Sequence, residues 1–254
     1  MRWKTASASV TGKSHRARGE CGQDFCKAGS VQFADDDYFI GIVADGAGST
    51  TDGGRGAEIA CTILYDRITS AIRATLDLAK LSDDDVKAWV TAARDAVLFE
   101  AEQNNKRARE YACTVIGSVA SGSRALFFQI GDGAIVTGPG PAYQTIFWPE
   151  QGEYANTTYF LTDEQFMENL KILHAEEPGE IALFTDGLQS LVLSFAEKKA
   201  HTGFFSPLFL ALEQCPADGI GTLSAQLSPF LLRDDISARS DDDKTLVLAV
   251  RVKG

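Results

Sequence analysis

Three apolar segments of this chain end in the same two residues. FIGIVADG, LFFQIGDG and IALFTDG each run a strand-like stretch into an aspartate and a glycine, at Asp45-Gly46, Asp132-Gly133 and Asp186-Gly187. A fourth, SDDDKTLVLAV, sets Asp241, Asp242 and Asp243 before its apolar run. A single Asp-Gly after a strand is ordinary turn chemistry. Four acidic strand ends demand more of the fold. If they meet in space, carboxylates converge and repel, and divalent cations are the usual counter-charge. A ligand set made only of oxygen selects Mg²⁺ or Mn²⁺ over zinc.

The surrounding pattern is one of strands clustered around helix pairs. Apolar or alternating runs at Lys4 to Val10, Tyr38 to Ala44, Thr114 to Ala120, Ala125 to Ile130, Ile135 to Thr137, Thr158 to Leu161, Glu180 to Phe184 and Thr245 to Val252 read as strands. Between the second and third of these lie two helical stretches. Ala57, Ala60, Cys61, Leu64, Ile68 and Ile72 share one face of the first. Val86, Trp89, Val90, Ala93 and Val97 share one face of the second, with Ser82 as its N-cap. Pro207 to Gln214 and Ile220 to Leu232 read as two further helices. Strands and helices in blocks favour a layered α+β domain over a doubly wound one.

Composition narrows the partners. A net charge of -11 argues against nucleic acid or an anionic membrane, which both require basic surfaces. No apolar leader or membrane span is evident, so a cytoplasmic protein is expected. With no linker or repeat in the sequence, residues 1–254 read as one domain. Cys21, Cys26, Cys61, Cys113 and Cys215 are scattered without zinc spacing and read as reduced, mostly buried thiols.

Two phosphate-binding motifs can be set aside. After Gly46 and Gly48, Thr51 stands where a dinucleotide fingerprint needs its third glycine. Gly12-Lys13-Ser14 copies the end of a Walker A loop, but Ser7 replaces its first glycine. Lys13 is therefore expected on the surface.

VADGAGSTTDGGRGAEIA, QIGDGAIV, LFTDGLQSL and DDKTLVLAV, preceded by GKSHRARGECGQD, together resemble the metal-dependent serine/threonine protein phosphatases of type 2C. The likeness spans nearly the whole chain with its motifs in order. It implies an α-β-β-α sandwich of four layers, two central antiparallel sheets flanked by helix pairs, with a two-metal centre at one edge. Carried over by position, Asp45 bridges two Mn²⁺ or Mg²⁺ ions and the Gly46 carbonyl binds one of them. Asp186 and Asp242 hold the other, Asp24 acts mainly through metal-bound water, and Asp132 stands where a third ion is held. The implied reaction is hydrolysis of phosphoserine and phosphothreonine on a phosphorylated protein by a hydroxide bridging the cations. Gly46 and Gly48 are expected to let the backbone approach the metals.

The departures concern substrate binding. The family places an arginine shortly before its first aspartate to grip phosphate, but Gly19 stands at that offset here. His15, Arg16 and Arg18 in SHRAR are the candidates to replace it, His15 and Arg18 foremost, against the alternative that SHRAR is a solvated turn. The flap segment of larger members is short or missing, and His174 in MENLKILHAEEP reads as an exposed loop residue. Asp37, in the acidic turn ADDDY, reads as solvated. A monomer is expected. Two alternatives stay open, a hydrolase of a small phosphate ester on the same ligands and a pseudophosphatase scaffold.

Overall fold

The computed structural model describes residues 1–74, 78–139, 143–149, 158–176 and 178–253. Its first half runs through β1 (Arg2–Val10), α1 (Lys13–Arg18), β2 (Asp24–Phe33), β3 (Asp36–Asp45), α2 (Gly53–Arg73), α3 (Asp83–Gln103), β4 (Val115–Ala120) and β5 (Arg124–Ile130). There follow β6 (Ala134–Gly138), β7 (Gln144–Thr145), β8 (Lys171–Glu176), β9 (Glu180–Phe184), α4 (Gln189–Val192) and the small β10 (Leu193–Ser194) and β11 (Lys199–Ala200) pair. The chain ends in α5 (Thr202–Gln214), α6 (Ile220–Leu231), α7 (Asp234–Ser237) and β12 (Lys244–Val252).

Two antiparallel sheets form the centre, in the orders β2-β3-β4-β5-β8 and β1-β12-β9-β6-β7. The alternation of side chains along each strand sorts them into separate cores. On β3, Phe39 and Val43 face the other sheet, while Tyr38, Ile40, Ile42 and Ala44 pack with the apolar faces of α2 and α3. On β12, Val247 and Ala249 face inward to the other sheet, while Leu246, Leu248 and Val250 share a core with Phe205, Phe209 and Leu227 of α5 and α6. A strand buried on both faces has to be apolar at every position, which is why these segments read as unbroken runs. The result is the expected four-layer α-β-β-α sandwich.

Helix α3 begins as its sequence indicates. The Ser82 hydroxyl accepts from the Asp85 N–H, and the Asp85 carboxylate accepts from the Ser82 N–H at 2.9 Å, a reciprocal capping box. Among the described residues no helix is long and apolar enough to cross a membrane.

Four expectations need correction. Thr158 to Leu161 do not form a strand; they are irregular chain that passes the cleft described below. His174 lies on the edge strand β8, not in a loop, and its Nε2 is 3.0 Å from Asp83. SHRAR belongs to the helix α1 and is not a turn. Asp37 is buried and accepts the Trp3 N–H at 2.6 Å, tying β1 to β3 across the two sheets.

Candidate metal centre

The acidic strand ends converge. Asp24, which opens β2, lies opposite Asp45, which closes β3. Asp186 follows β9, Asp132 follows β5, and Asp242 precedes β12. Asp45, Gly46, Ala47, Gly48, Asp132, Asp186 and Asp242 line one open cleft of about 160 Å³, with His15 at its side. Thr114, Thr158 and Phe160 complete the wall. The carboxylates and His15 named from the sequence are thus brought together, with Asp24 just behind the wall and Arg18 outside it.

The electrostatics of this cluster are adverse. Burial, then the charges of Asp24, Asp186 and Asp242, push Asp45 well above the usual carboxylate range. Burial pushes Asp186 up to about 6, with Asp132 and Asp242 adding to the rise. Asp45 and Asp186 stand against each other, and the proximity of Asp186 adds to the rise of Asp45. Asp186 Oδ1 is buried with no hydrogen-bond partner among the described residues. This unpartnered oxygen among raised carboxyls, in a donor set of oxygen only, fits a hard divalent cation.

Asp24 has a second role. Its Oδ2 accepts the hydroxyls of Thr185 at 2.7 Å and Thr245 at 2.8 Å, both from the other sheet. Burial nonetheless raises it to about 7. Asp24 therefore joins the two sheets directly beneath the cleft. Asp132 is held by the Thr158 hydroxyl at 2.6 Å, and its main-chain carbonyl accepts from the Gln189 side chain. Gln129 donates to the carbonyls of Gly131 and Gly133, fixing the turn that carries Asp132. These threonines and glutamines lacked any strand-end signature, and sequence reasoning passed over them.

Protein packing adds a reason for one glycine of the loop. A Cβ on Gly46 would lie 2.2 Å from the Gly53 main chain, so the residue is small because the start of α2 packs on it. A Cβ on Gly48 would meet open space. Close packing on the start of α2 is a reason of its own for the first glycine, and no protein atom requires the second.

The amino-terminal segment separates its two candidates. His15 is buried, lines the cleft, and places Nδ1 2.9 Å from Asp243 Oδ1. Arg18 is exposed, donates from Nε to Glu20 at 2.7 Å, and takes no part in the cleft lining. Arg16 is exposed, with its Nε donating to the Gly12 carbonyl at 3.3 Å. Gly19, at the offset of the family arginine, closes α1 with φ of 70°, a conformation in which a side chain is strained.

No cysteine is placed as a nucleophile. All five are free, and Cys21 is exposed but outside the cleft lining. Burial pushes the Cys26 thiol up to about 11 and the Cys113 thiol up to about 12.

Comparison with known proteins agrees with this geometry. The model of the family described as protein phosphatase 2C matches residues 11–232. Serine/threonine-protein phosphatase 3 of Escherichia coli (strain K12) is 34% identical over 254 residues, covering 98% of this chain and 99% of that protein. Among solved structures, the catalytic domain of the serine threonine protein phosphatase PstP in complex with two manganese ions superposes with a TM-score of 0.62 at 17% identity, covering 99% of both chains. The serine/threonine phosphatase Stp1 from Staphylococcus aureus gives 0.60 at 15% identity over 98% of this chain and 95% of that one. The two structures share the fold, while the sequence relative and the family match carry the closer kinship: this chain belongs to the protein phosphatase 2C family.

Proposed function

We propose that the chain is a metal-dependent phosphatase that removes phosphate from phosphoserine and phosphothreonine in proteins, using two Mn²⁺ or Mg²⁺ ions. The observation that carries this reading is the Asp45–Asp186 pair, two half-buried carboxyls pressed together with a buried oxygen of Asp186 that has no partner among the described residues. Asp45 and the Gly46 carbonyl would hold ions with Asp186 and Asp242, Asp24 would act through water, and Asp132 would serve a third ion. When bound, the cations supply counter-charge, Lewis acidity and a water acidified towards neutrality.

The chain's own residues do the rest. Gly46, Ala47 and Gly48 form a wall of main chain and one methyl group, so a bulky phosphate ester reaches the carboxylates unobstructed. His15 contacts the phosphoryl oxygens from the side of the cleft, the task the family gives to arginine. Arg18 would have to leave Glu20 to do the same, which favours His15. The name of the E. coli relative supports a protein substrate. The reading takes residues 1–254 as one catalytic domain, a monomer in the cytoplasm.

The test is turnover of an aryl phosphate and of phosphoserine, phosphothreonine and phosphotyrosine peptides, with Mn²⁺ or Mg²⁺ and with chelator. Hydrolysis of the first two peptides in metal and none in chelator is expected. Activity that survives excess chelator, or that is lost to thiol alkylation instead, contradicts the metal assignment. Turnover of the aryl phosphate alone favours a small phosphate ester, and none at all favours a scaffold.

A further inference from the structure

Asp243 is the one aspartate of its triplet that faces away from solvent, with 2% of its surface exposed. Its two oxygens accept three N–H groups of the amino-terminal segment. Oδ1 takes the Gly12 N–H at 2.6 Å and His15 Nδ1 at 2.9 Å, and Oδ2 takes the Gln23 N–H at 2.6 Å. A carboxylate that accepts from main-chain N–H groups on both oxygens is an acceptor throughout, so the proton of the third bond lies on Nδ1. That bond fixes the imidazole tautomer and its rotation. His15 lines the cleft beside Asp45, Asp132, Asp186 and Asp242, and its Nε2 has no hydrogen-bond partner among the described residues.

A metal-ligand role for Asp243 is the competing explanation. Ligand atoms of His15, Asp242 and Asp243 lie within 4.8 Å of one another. Three of the four lone-pair sites of Asp243 are already taken by N–H groups, two of them at 2.6 Å, so an ion would compete with the chain for the carboxylate. Loss of those bonds would leave buried donors unsatisfied and would free the segment that carries both His15 and Asp24. Most of the carboxylate's acceptor capacity is taken by the chain itself.

We infer that Asp243 is a positioning residue: it fixes the His15 ring so that Nε2 shares a proton with a phosphoryl oxygen of the substrate, with a negative charge behind the ring. The inference rests on the reading of His15 as a substrate contact. The pair offers a buried imidazole held by a carboxylate where the family has a guanidinium and this chain has Gly19. Arg16 and Arg18 remain in solvent and are not required.

The experiment is a double-mutant cycle with His15→Gln, Asp243→Asn and the double variant, assayed on an aryl phosphate at saturating Mn²⁺. Thermal unfolding and calorimetric Mn²⁺ titration accompany each variant. His15→Gln is expected to lower kcat/KM roughly 10²-fold with Mn²⁺ affinity intact. Asp243→Asn is expected to lower it about 10- to 100-fold, and to add little in the His15→Gln background. If Asp243→Asn costs the same factor in both backgrounds, Asp243 holds only the loop and the inference is wrong, while the His15 contact stands. If His15→Gln is silent, the contact itself fails and the inference falls with it.

A second readout needs no variant to fold. The chain has three histidines, His15, His174 and His201, so the ring nitrogens of ¹⁵N-labelled wild-type protein are readily assigned by NMR. His15 with its proton on Nδ1 is the expected state; a neutral ring carrying its proton on Nε2 alone overturns the inference.

Discussion

The floor of the cleft and the loop beside it are both built on aspartates, and they treat negative charge in opposite ways. On the floor, Asp45 and Asp186 press against each other and Asp186 keeps an unpartnered oxygen. In the loop, Asp243 satisfies both oxygens with N–H donors from three residues. Asp242 and Asp243 are adjacent in sequence, yet one lines the cleft and the other anchors the chain around it. An under-satisfied carboxylate cluster is a site prepared for a cation, whereas a satisfied carboxylate is architecture. Burial and the hydrogen-bond inventory distinguish them together: Asp45 and Asp186 are half-buried, Asp242 is exposed, and Asp243 is buried and satisfied.

Substitution sharpens the contrast most strongly in activity. Asp45→Ala, Asp186→Ala and Asp242→Ala are each expected to lower Mn²⁺-dependent turnover roughly 10³-fold, since metal charge stabilisation is worth several kcal/mol. The same contrast should change sign in stability. In chelator, Asp45→Asn removes a repelling buried charge and should raise Tm, whereas Asp243→Asn sets an amide against the Gln23 N–H and should lower it. Thermal unfolding of the two variants in parallel checks this, and equal shifts would erase the distinction between the regions.

The pH dependence of the metal-free protein separates them further. Asp24 sits at about 7 against an ordinary value of 3.8, and Asp186 at about 6. Between those values the folded chain binds more protons than the unfolded one, so stability falls as pH rises from about 4 to about 7. Unfolding in chelator at pH 5 and pH 7.5 should show the lower Tm at the higher pH. Saturating Mn²⁺ should remove or reverse the slope, because the ion binds the ionised carboxylates of the folded state. A metal-free Tm that rises over this range would contradict the strained floor.

The smallest effect concerns an aspartate far from both regions. Asp37→Ala leaves the buried Trp3 N–H without its acceptor and is expected to cost about 1–3 kcal/mol of stability by denaturant titration, with turnover of the folded enzyme unchanged.

Asp37 also marks the limit of what the sequence conveys. ADDDY has the composition of a solvated turn, and only the arrival of β1 from the other sheet buries it. Strands that are buried on both faces, such as β3, β4, β5, β9 and β12, were legible because apolar residues dominate their central positions. The missed strands β2 and β8 are the two edges of one sheet, where partial exposure admits Lys27, Ser30 and His174 and breaks the pattern. Thr158 to Leu161 had a strand's residues without a neighbouring strand to bond. At the site, the aspartates could be found because each closes or opens an apolar run. Asp243 could not be told from Asp242, because its partners Gly12, His15 and Gln23 lie more than two hundred residues away in sequence. Chemistry that depends on a local motif was readable, and chemistry that depends on who arrives opposite it was not.

The central claim is that the cleft floor binds cations and the Asp243 loop does not. Crystals grown with Mn²⁺ and measured at the manganese absorption edge locate the ions without reference to activity. Anomalous peaks at Asp45, Asp186 and Asp242, with Asp243 still holding Gly12, His15 and Gln23, are the expected result. A manganese ion ligated by Asp243, or a floor without any peak at millimolar Mn²⁺, would contradict the account.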